Sequence, residues 1–472
     1  MKQKRRNYSS AFFISFLMLS FNIGHSQIIK FSIAATDLPR ISVSKQNPHF
    51  FVTKGEKPFF WLADTGWLMF SKLKRNEAVQ YLKDRKQKGF NVIQVMVLHS
   101  LDGLNAYGDA AILNKDVSKP VTTPGDDFKN ETEYDYWDHI DFIIKTAAKK
   151  GIYIAMVPVW GSNVKDGKVT PEQAKKYSEF LANRYKNDTN VIWMNGGDIF
   201  GNENTEVWQT IGTTLKANNP ETLQTFHPHG RNMSSEWFHQ ESWLDFNMAQ
   251  SGHRRYDQDN TKRGYGQDNW RYIETDYNLK PIKPTLDGEP SYEGIPQGLH
   301  DTLQPKWNAN DLRRYGYWSV FTGAAGFTYG HNAVMQMFRK GDKPAYGNKE
   351  LWMDAINAPG AQQMIYIKKL LLDFSFFDRV PDQSLIANQG EKYDYLTATR
   401  GKNYALIYTY NGRKIAVNMG KIPGDKVAAS WYNPRNGKQT KIGTFANKGI
   451  QEFQPSENKE EGNDWVLILT SK

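Results

Sequence analysis

The stretch 191–202, V-I-W-M-N-G-G-D-I-F-G-N, decides how the chain is read. It opens on Val191, Ile192, Trp193 and Met194, a β-branched and aromatic run with the composition of a buried strand. Gly196 and Gly197 follow, and glycines there break a strand and let backbone approach something closely. Asp198 comes next. An acidic side chain just past the C-terminal end of an apolar strand is where α/β barrels keep catalytic groups. The alternative is an Asp that caps the following helix. A second stretch, 284–290, P-T-L-D-G-E-P, has the same design: a short strand breaks at Gly288 and exposes Glu289.

Working outward, eight strand candidates alternate with helix-like segments. They cover residues 59–63, 91–98, 153–159, 191–194, 223–227, 246–249, 284–286 and 326–329. Amphipathic periodicity predicts helices over 76–88, 136–150, 172–185 and 309–321; the first two stop at Gly89 and Gly151, and Thr170-Pro171 opens the third. Strands alternating with helices imply parallel β/α units, and eight of them make a (β/α)8 TIM barrel. A short β preface spans 41–60, with a hairpin turn at Lys54-Gly55-Glu56-Lys57.

From about Phe374 the texture changes to short alternating runs at 395–399, 404–410, 414–418, 427–432 and 465–469. They are punctuated by Asn411-Gly412, Pro423-Gly424, Asn436-Gly437 and Lys448-Gly449. That pattern predicts a small antiparallel β-sandwich, joined to the barrel by a helix over 364–373. The expected organisation is therefore a segment 1–26, a barrel over 27–373 and a sandwich over 374–472.

Residues 1–26 read as a secretory signal peptide. Lys2, Lys4, Arg5 and Arg6 form a basic start, 11–21 is an apolar core too short to span a bilayer, and Gly24-His25-Ser26 suits cleavage before Gln27. The expected location is periplasmic or extracellular, with no membrane span after cleavage. The chain has no cysteine, which excludes disulfides, thiol chemistry and lipid attachment through a thiol. Its formal charge is +10; removing the four basic residues of the signal leaves +6. That permits an acidic polymer as partner, but no Lys/Arg stripe interleaved with aromatics points to nucleic acid. No Gly-rich phosphate loop follows any strand, so nucleotide chemistry has no support. The 14 Trp and 24 Tyr suit sugar platforms, although large cores use them too.

The residues at the C-terminal ends of the eight strands would face one mouth. They are Asp64 and Trp67, His99, Trp160, Asn195 and Asp198, His227 and His229, Gln250 and His253, Asp287 and Glu289, and Tyr329 and His331. Such a ring makes a poor core and a good polar pocket. His227 and His229 have alternate spacing that two metal ligands share, but no third ligand follows at suitable spacing. Two carboxylates on opposed strands suit glycosidic bond cleavage, one protonating the leaving oxygen and the other attacking the anomeric carbon. A gap of roughly 5 Å is what retention of configuration requires. Asp198, near Trp193, is expected to be desolvated and to hold its proton, and Asp287 is expected to raise the pKa of Glu289. The sequence alone leaves open which of the two is the acid.

Several runs resemble glycoside hydrolase family 140 and its relatives: F-F-W-L-A-D-T-G-W (59–67), K-G-F-N-V-I-Q-V (88–95), W-M-N-G-G-D (193–198) and D-G-E-P-S-Y-E-G (287–294). S-W-Y-N-P-R-N-G (430–437) is similar to the family's C-terminal module, labelled collagen-binding. The resemblance implies a barrel followed by a β-sandwich and an apiosidase activity on pectin side chains such as those of rhamnogalacturonan II. It also implies that Asp198 matches the acid/base and Glu289 the nucleophile.

The resulting expectation is an exported, retaining glycoside hydrolase without a cofactor, acting on a polysaccharide or oligosaccharide. Asp198 and Glu289 are its catalytic pair. Asp64, Trp67, His99, Trp160, Asn195, His227, His229, Gln250, Tyr329 and His331 are its substrate contacts, and the aromatic floor comes from Trp67, Trp160 and Trp193. Two alternatives are the same chemistry on another plant or algal polysaccharide, and a non-catalytic glycan-binding protein.

Overall fold

Fully apolar strands that no water-facing alternation interrupts are the signature of a parallel sheet covered by helices. The computed structural model, which describes residues 38–130, 132–455 and 458–472, has that arrangement. The segment read as a signal peptide lies outside the described residues. Six parallel strands form one curled sheet: β1 (Trp61–Thr65), β2 (Val92–Leu98), β3 (Tyr153–Val159), β4 (Val191–Ile199), β5 (Gln224–Pro228) and β8 (Gly326–Tyr329), in the order β8-β1-β2-β3-β4-β5. Strands β6 (Asn247–Gln250) and β7 (Thr285–Asp287) pair in parallel with each other. Backbone bonds bridge the seams between the two sheets. The Asp245 N–H donates to the Gln224 carbonyl at 2.9 Å, and the Ala325 N–H to the Thr285 carbonyl at 3.0 Å.

The curl is wide enough to bring β2 opposite β7. Buried Gln94 donates from Nε2 to the Gly288 carbonyl at 3.0 Å. Its Oε1 accepts from the Thr328 hydroxyl at 3.0 Å, and Thr328 accepts from Trp61 Nε1 at 3.3 Å. This chain satisfies every polar side chain it contains, as a buried network must.

Helices α1 (Arg75–Gln87), α2 (Tyr136–Lys149), α3 (Pro171–Tyr185), α4 (Thr205–Asn218), α5 (Trp270–Tyr277), α6 (Ala309–Phe321) and α7 (Pro359–Leu372) follow the strands. The Thr170 hydroxyl caps α3 by accepting from the Gln173 N–H at 3.2 Å, as the Thr-Pro signal predicts. Among the described residues no helix is long and apolar enough to cross a membrane.

The C-terminal part is antiparallel. β9 (Thr397–Arg400), β10 (Tyr404–Thr409), β12 (Lys426–Tyr432), β13 (Gln439–Ala446) and β15 (Trp465–Ser471) lie in one sheet, whose order is β9-β10-β15-β12-β13 after the short strand Val380–Pro381. β11 (Ile415–Asn418) pairs with β14 (Ile450–Phe453). Strand β13 escapes the sequence pattern because it is a polar edge strand, exposed along most of its length.

Period-2 alternation gives β10 two buried faces. Ala405 and Ile407 join the core shared with β11 and β14, while Tyr404, Leu406 and Tyr408 join the core that contains α6 and α7. Tyr408 stacks on Tyr317 of α6 with centroids 4.7 Å apart. Beside them Arg313 binds Asp464 through Nε and Nη2, both at 2.8 Å, with both side chains buried. The α/β part and the C-terminal sheets belong to one compact unit.

Removing one partner of a buried, bidentate pair strands the other charge. Arg313→Met is therefore expected to destabilise the whole protein by about 3–5 kcal/mol, read as a lower midpoint in denaturant unfolding followed by tryptophan fluorescence.

Candidate active site

The two glycines of the stretch 191–202 do not end their strand. β4 runs through them to Ile199, and its register against β5 shifts between Gly196 and Ile199, the mark of a bulge. The bulge needs glycine for two reasons. Gly196 and Gly197 have φ of +84° and +102°, and a Cβ on Gly197 would lie 2.4 Å from the Trp160 ring. Asp198 follows at φ +56°, a left-handed conformation that Asp tolerates better than most residues. The next helix, α4, is preceded by Asn204 at its N-cap, so Asp198 caps nothing. Its side chain is exposed in a cavity of about 460 Å³.

Glu289 lines the same cavity from the end of β7. It is buried, and its two oxygens are gripped separately. His227 Nε2 lies 2.9 Å from Oε2, and His253 Nε2 lies 3.1 Å from Oε1. A carboxylate only accepts, so His253 presents its Nε2 hydrogen to Glu289, while His227 Nε2 lies at ion-pair distance without the alignment of a hydrogen bond. The Nδ1 atoms of both rings are buried without partners. Burial alone would raise the pKa of Glu289, but the two imidazoles outweigh it and hold the carboxyl at about 2. The expected raised value is thus overturned. Asp287, the group expected to raise it, is instead bound by the Ser251 hydroxyl at 2.6 Å and the Asn269 amide at 2.9 Å. Asp198 is exposed rather than desolvated by Trp193, which packs near Tyr185 on the helix side of β4.

Tyr292 completes the support. Its hydroxyl accepts from Trp67 Nε1 at 3.1 Å, and burial together with the Glu289 charge pushes the phenol's pKa well above its usual value. Trp67 and Trp160 form one wall, with centroids 5.4 Å apart. Across the cavity, Tyr346 feels both carboxylates: burial, then the charges of Glu289 and Asp198, push its pKa to about 12.

Of the predicted site residues, Asp198, Glu289, Trp67, His99, Trp160, His229 and Gln250 line this cavity. Gln250 is buried there with an unpartnered Oε1, an acceptor suited to a sugar hydroxyl. His227 is buried behind the cavity and acts on Glu289 rather than on open space. Four expected contacts are corrected because their side chains turn to the helix layer or are bound elsewhere. Asp64 pairs with Arg85 of α1 at 2.8 Å and accepts from Tyr81 at 2.6 Å. Asn195 faces the Trp208 carbonyl of α4. Tyr329 donates to Glu293 at 2.6 Å, and His331 accepts from the Ala333 N–H at 3.1 Å, capping a helical turn. His227 and His229 part company, since the His229 ring stacks on Phe200. Among the described residues no group of three His, Asp or Glu side chains is placed to hold a metal ion.

Sequence reasoning missed Tyr292, Tyr346, His300 and Arg254, and it put His253 at a strand end without a role. Only Tyr292, three residues after Glu289 in the quoted D-G-E-P-S-Y-E-G run, left a signal.

A curled parallel sheet with two carboxylates in one aromatic-walled cavity defines the class: the protein is a glycoside hydrolase. Residues 45–378 match the family described as Apiosidase-like, catalytic domain, and the chain belongs to that family. Residues 380–470 match a family named for a so-called collagen-binding domain of a collagenase. Two solved structures are similar over nearly the whole length. One is a glycoside hydrolase, 46% identical with a TM-score of 0.87, covering 93% of this chain and 98% of that one. The other is a glycoside hydrolase family 5 protein from Bacteroides vulgatus ATCC 8482, 44% identical with a TM-score of 0.87, covering 93% and 95%. No curated protein sequence matches.

The depressed pKa of Glu289 has a signed consequence for stability. A carboxyl at about 2 in the fold, against an ordinary 4.5, stabilises the fold fully above pH 4.5 and loses that contribution as pH falls toward 2. Glu289→Gln has no such dependence. The stability gap between wild type and this variant is expected to shrink steadily in denaturant titrations at pH 7, 4 and 3.

Proposed function

We propose that the protein hydrolyses a glycosidic bond with retention of configuration, with Glu289 as nucleophile and Asp198 as acid/base. The observation that carries this reading is the clamp on Glu289. Two imidazole rings, 2.9 and 3.1 Å from its oxygens, keep that carboxylate ionised in a buried place, which a nucleophile requires. Asp198, on the opposite strand of the same cavity, is open to solvent. Asp198 protonates the leaving oxygen while a Glu289 oxygen attacks the anomeric carbon, so the glycosidic bond breaks as a glycosyl ester forms. Asp198, now ionised, takes a proton from water. The water oxygen attacks the same carbon and Glu289 departs as carboxylate. Trp67 and Trp160 offer apolar faces to the sugar ring, and a bound sugar excludes water from Asp198.

The scaffold for this chemistry is a closed (β/α)8 barrel, a reading supported by the seam bonds and by Gln94 reaching from β2 to β7. Family membership favours apiose-bearing side chains of pectin, rhamnogalacturonan II included, as substrate. The N-terminal sequence favours export to the periplasm or the medium. The test is sugar release from a panel of pectic and algal glycans by wild type and by Glu289→Gln. Wild type is expected to release apiose with retained anomeric configuration, and the variant to lose kcat by at least about 10³-fold. Release of another sugar, again lost in the variant, keeps the mechanism and discards apiose; inversion of configuration discards the assigned roles.

A further inference from the structure

Glu293 is a buried carboxyl group that the proposed chemistry leaves unused, and it follows Tyr292 directly in the chain. Its oxygens serve the frame of the molecule. Oε2 accepts from the Tyr329 hydroxyl of β8 at 2.6 Å and from the Gly360 N–H at 3.0 Å, and Oε1 lies 3.3 Å from the same N–H. Gly360 is the second residue of α7, and Ala358, at the N-cap of that helix, offers it no side-chain acceptor. The acceptor comes instead from 67 positions earlier in the chain. A carboxylate suits this place, because both neighbours donate and a helix N-terminus favours negative charge. The fit is close: a Cβ on Gly360 would lie 2.3 Å from Oε2.

The backbone of Glu293 is held as firmly as its side chain. Its N–H donates to the Gly330 carbonyl at 2.9 Å, and its carbonyl accepts from the Asn332 N–H at 2.8 Å. One residue thus forms a parallel bridge beside His331, just past the end of β8. Tyr292 is fixed by the same docking. A Cβ on Gly330 would meet the Tyr292 ring at 2.3 Å. The ring also meets the His253 imidazole edge to face, with centroids 4.9 Å apart, and it feels the charge of Glu289. Tyr292 therefore braces the nucleophile and one of the imidazoles that hold it, and Glu293 anchors Tyr292 to two separate elements.

We propose that Glu293 is a positioning residue for Glu289: it docks the segment 290–294 on β8 and α7, and so keeps Tyr292 seated against His253 and Glu289. The name nucleophile for Glu289 rests on the hydrolase reading; the positioning does not, and each has its own measurement. One measurement needs no turnover. Denaturant unfolding gives the stability gap between a chain and its Glu289→Gln counterpart, at pH 7 and at pH 3. In wild type the gap is wider at pH 7, because a carboxyl held at about 2 stabilises the fold above its ordinary value of 4.5 and loses that contribution as pH falls. The gap is measured again in Glu293→Gln and in Tyr329→Phe, a milder change that removes one donor to Glu293. Each gap is a difference within one background, so the titration of Glu293 itself cancels. The groups that face Glu289, namely His227, His253, Tyr292, Asp198 and Tyr346, are the same in every chain compared. With Tyr292 loosened, the Glu289 carboxyl returns toward its ordinary value. The widening between pH 3 and pH 7 is expected to fall to about half or less in both variants.

An unchanged widening overturns the proposal. So does a wild-type gap that ignores pH, because no depressed carboxylate is then being held. Should Glu293→Gln not fold, Tyr329→Phe decides alone. The other measurement is turnover of rhamnogalacturonan II. Both variants are expected to lower kcat by about 10- to 100-fold with KM changed by less than about threefold. The acidic limb of kcat/KM is expected to move up in pH, since that limb reports the nucleophile of the free enzyme. A loss of kcat with the limb unmoved is a structural effect only and overturns the positioning. If wild type releases no sugar from any glycan of the panel, the hydrolase reading fails, and the stability gaps still decide the role of Glu293.

Discussion

The site depends on how one buried carboxylate is held. Glu289 sits where water cannot solvate it, and a charge in such a place persists only if the protein supplies donors. His227 comes from β5, His253 from the loop after β6, and Glu289 itself from the end of β7. Three consecutive strands must therefore end at matching heights for the clamp to close. The backbone just before Glu289 is fixed as well, because Gln94 reaches from β2 to the Gly288 carbonyl. Tyr292, three residues later, is tied to Trp67 on the loop after β1. The orientation of one side chain is thus set by elements from most of the way around the sheet, and no local segment determines it.

That distribution explains what could be read from sequence. Strand identity was legible because continuous apolar runs bounded by glycine mark buried parallel strands, and all eight candidates overlap observed ones. Asp198 and Glu289 were legible because each stands after a Gly-broken run. The wider ring was not, because a strand end misplaced by a few residues leaves a supposed mouth residue inside the strand, where alternation fixes the side it faces. The first strand was expected over 59–63 and occupies Trp61–Thr65, so Asp64 lies inside it and points to Arg85 of α1. The fourth was expected to stop at Met194 and runs on to Ile199, which turns Asn195 toward α4. The clamp is a pairing of residues 36 and 62 positions apart, and periodicity carries no information about such a pairing.

The bulge in β4 shows how local chemistry answers a global need. A regular strand would leave Asp198 on the pleat, and a side chain at Gly197 would collide with Trp160, the ring that walls the cavity. Two glycines at positive φ remove the collision and turn the following residue outward. The aromatic wall and the acid are therefore coupled: the Trp160 ring occupies the space that a Cβ at Gly197 would need.

The two-faced strand β10 bears on how this protein can have been assembled over time. A carbohydrate enzyme whose accessory module hangs on a linker can gain, lose or exchange that module without consequence for its catalytic part. Here the tyrosine side of β10 is core for α6, and Asp464, just before β15, neutralises Arg313. An isolated α/β part would carry a bare aromatic face and an orphaned guanidinium into solvent. Chimaeras that swap the C-terminal sheets for foreign modules must therefore carry the matching face of α6 along.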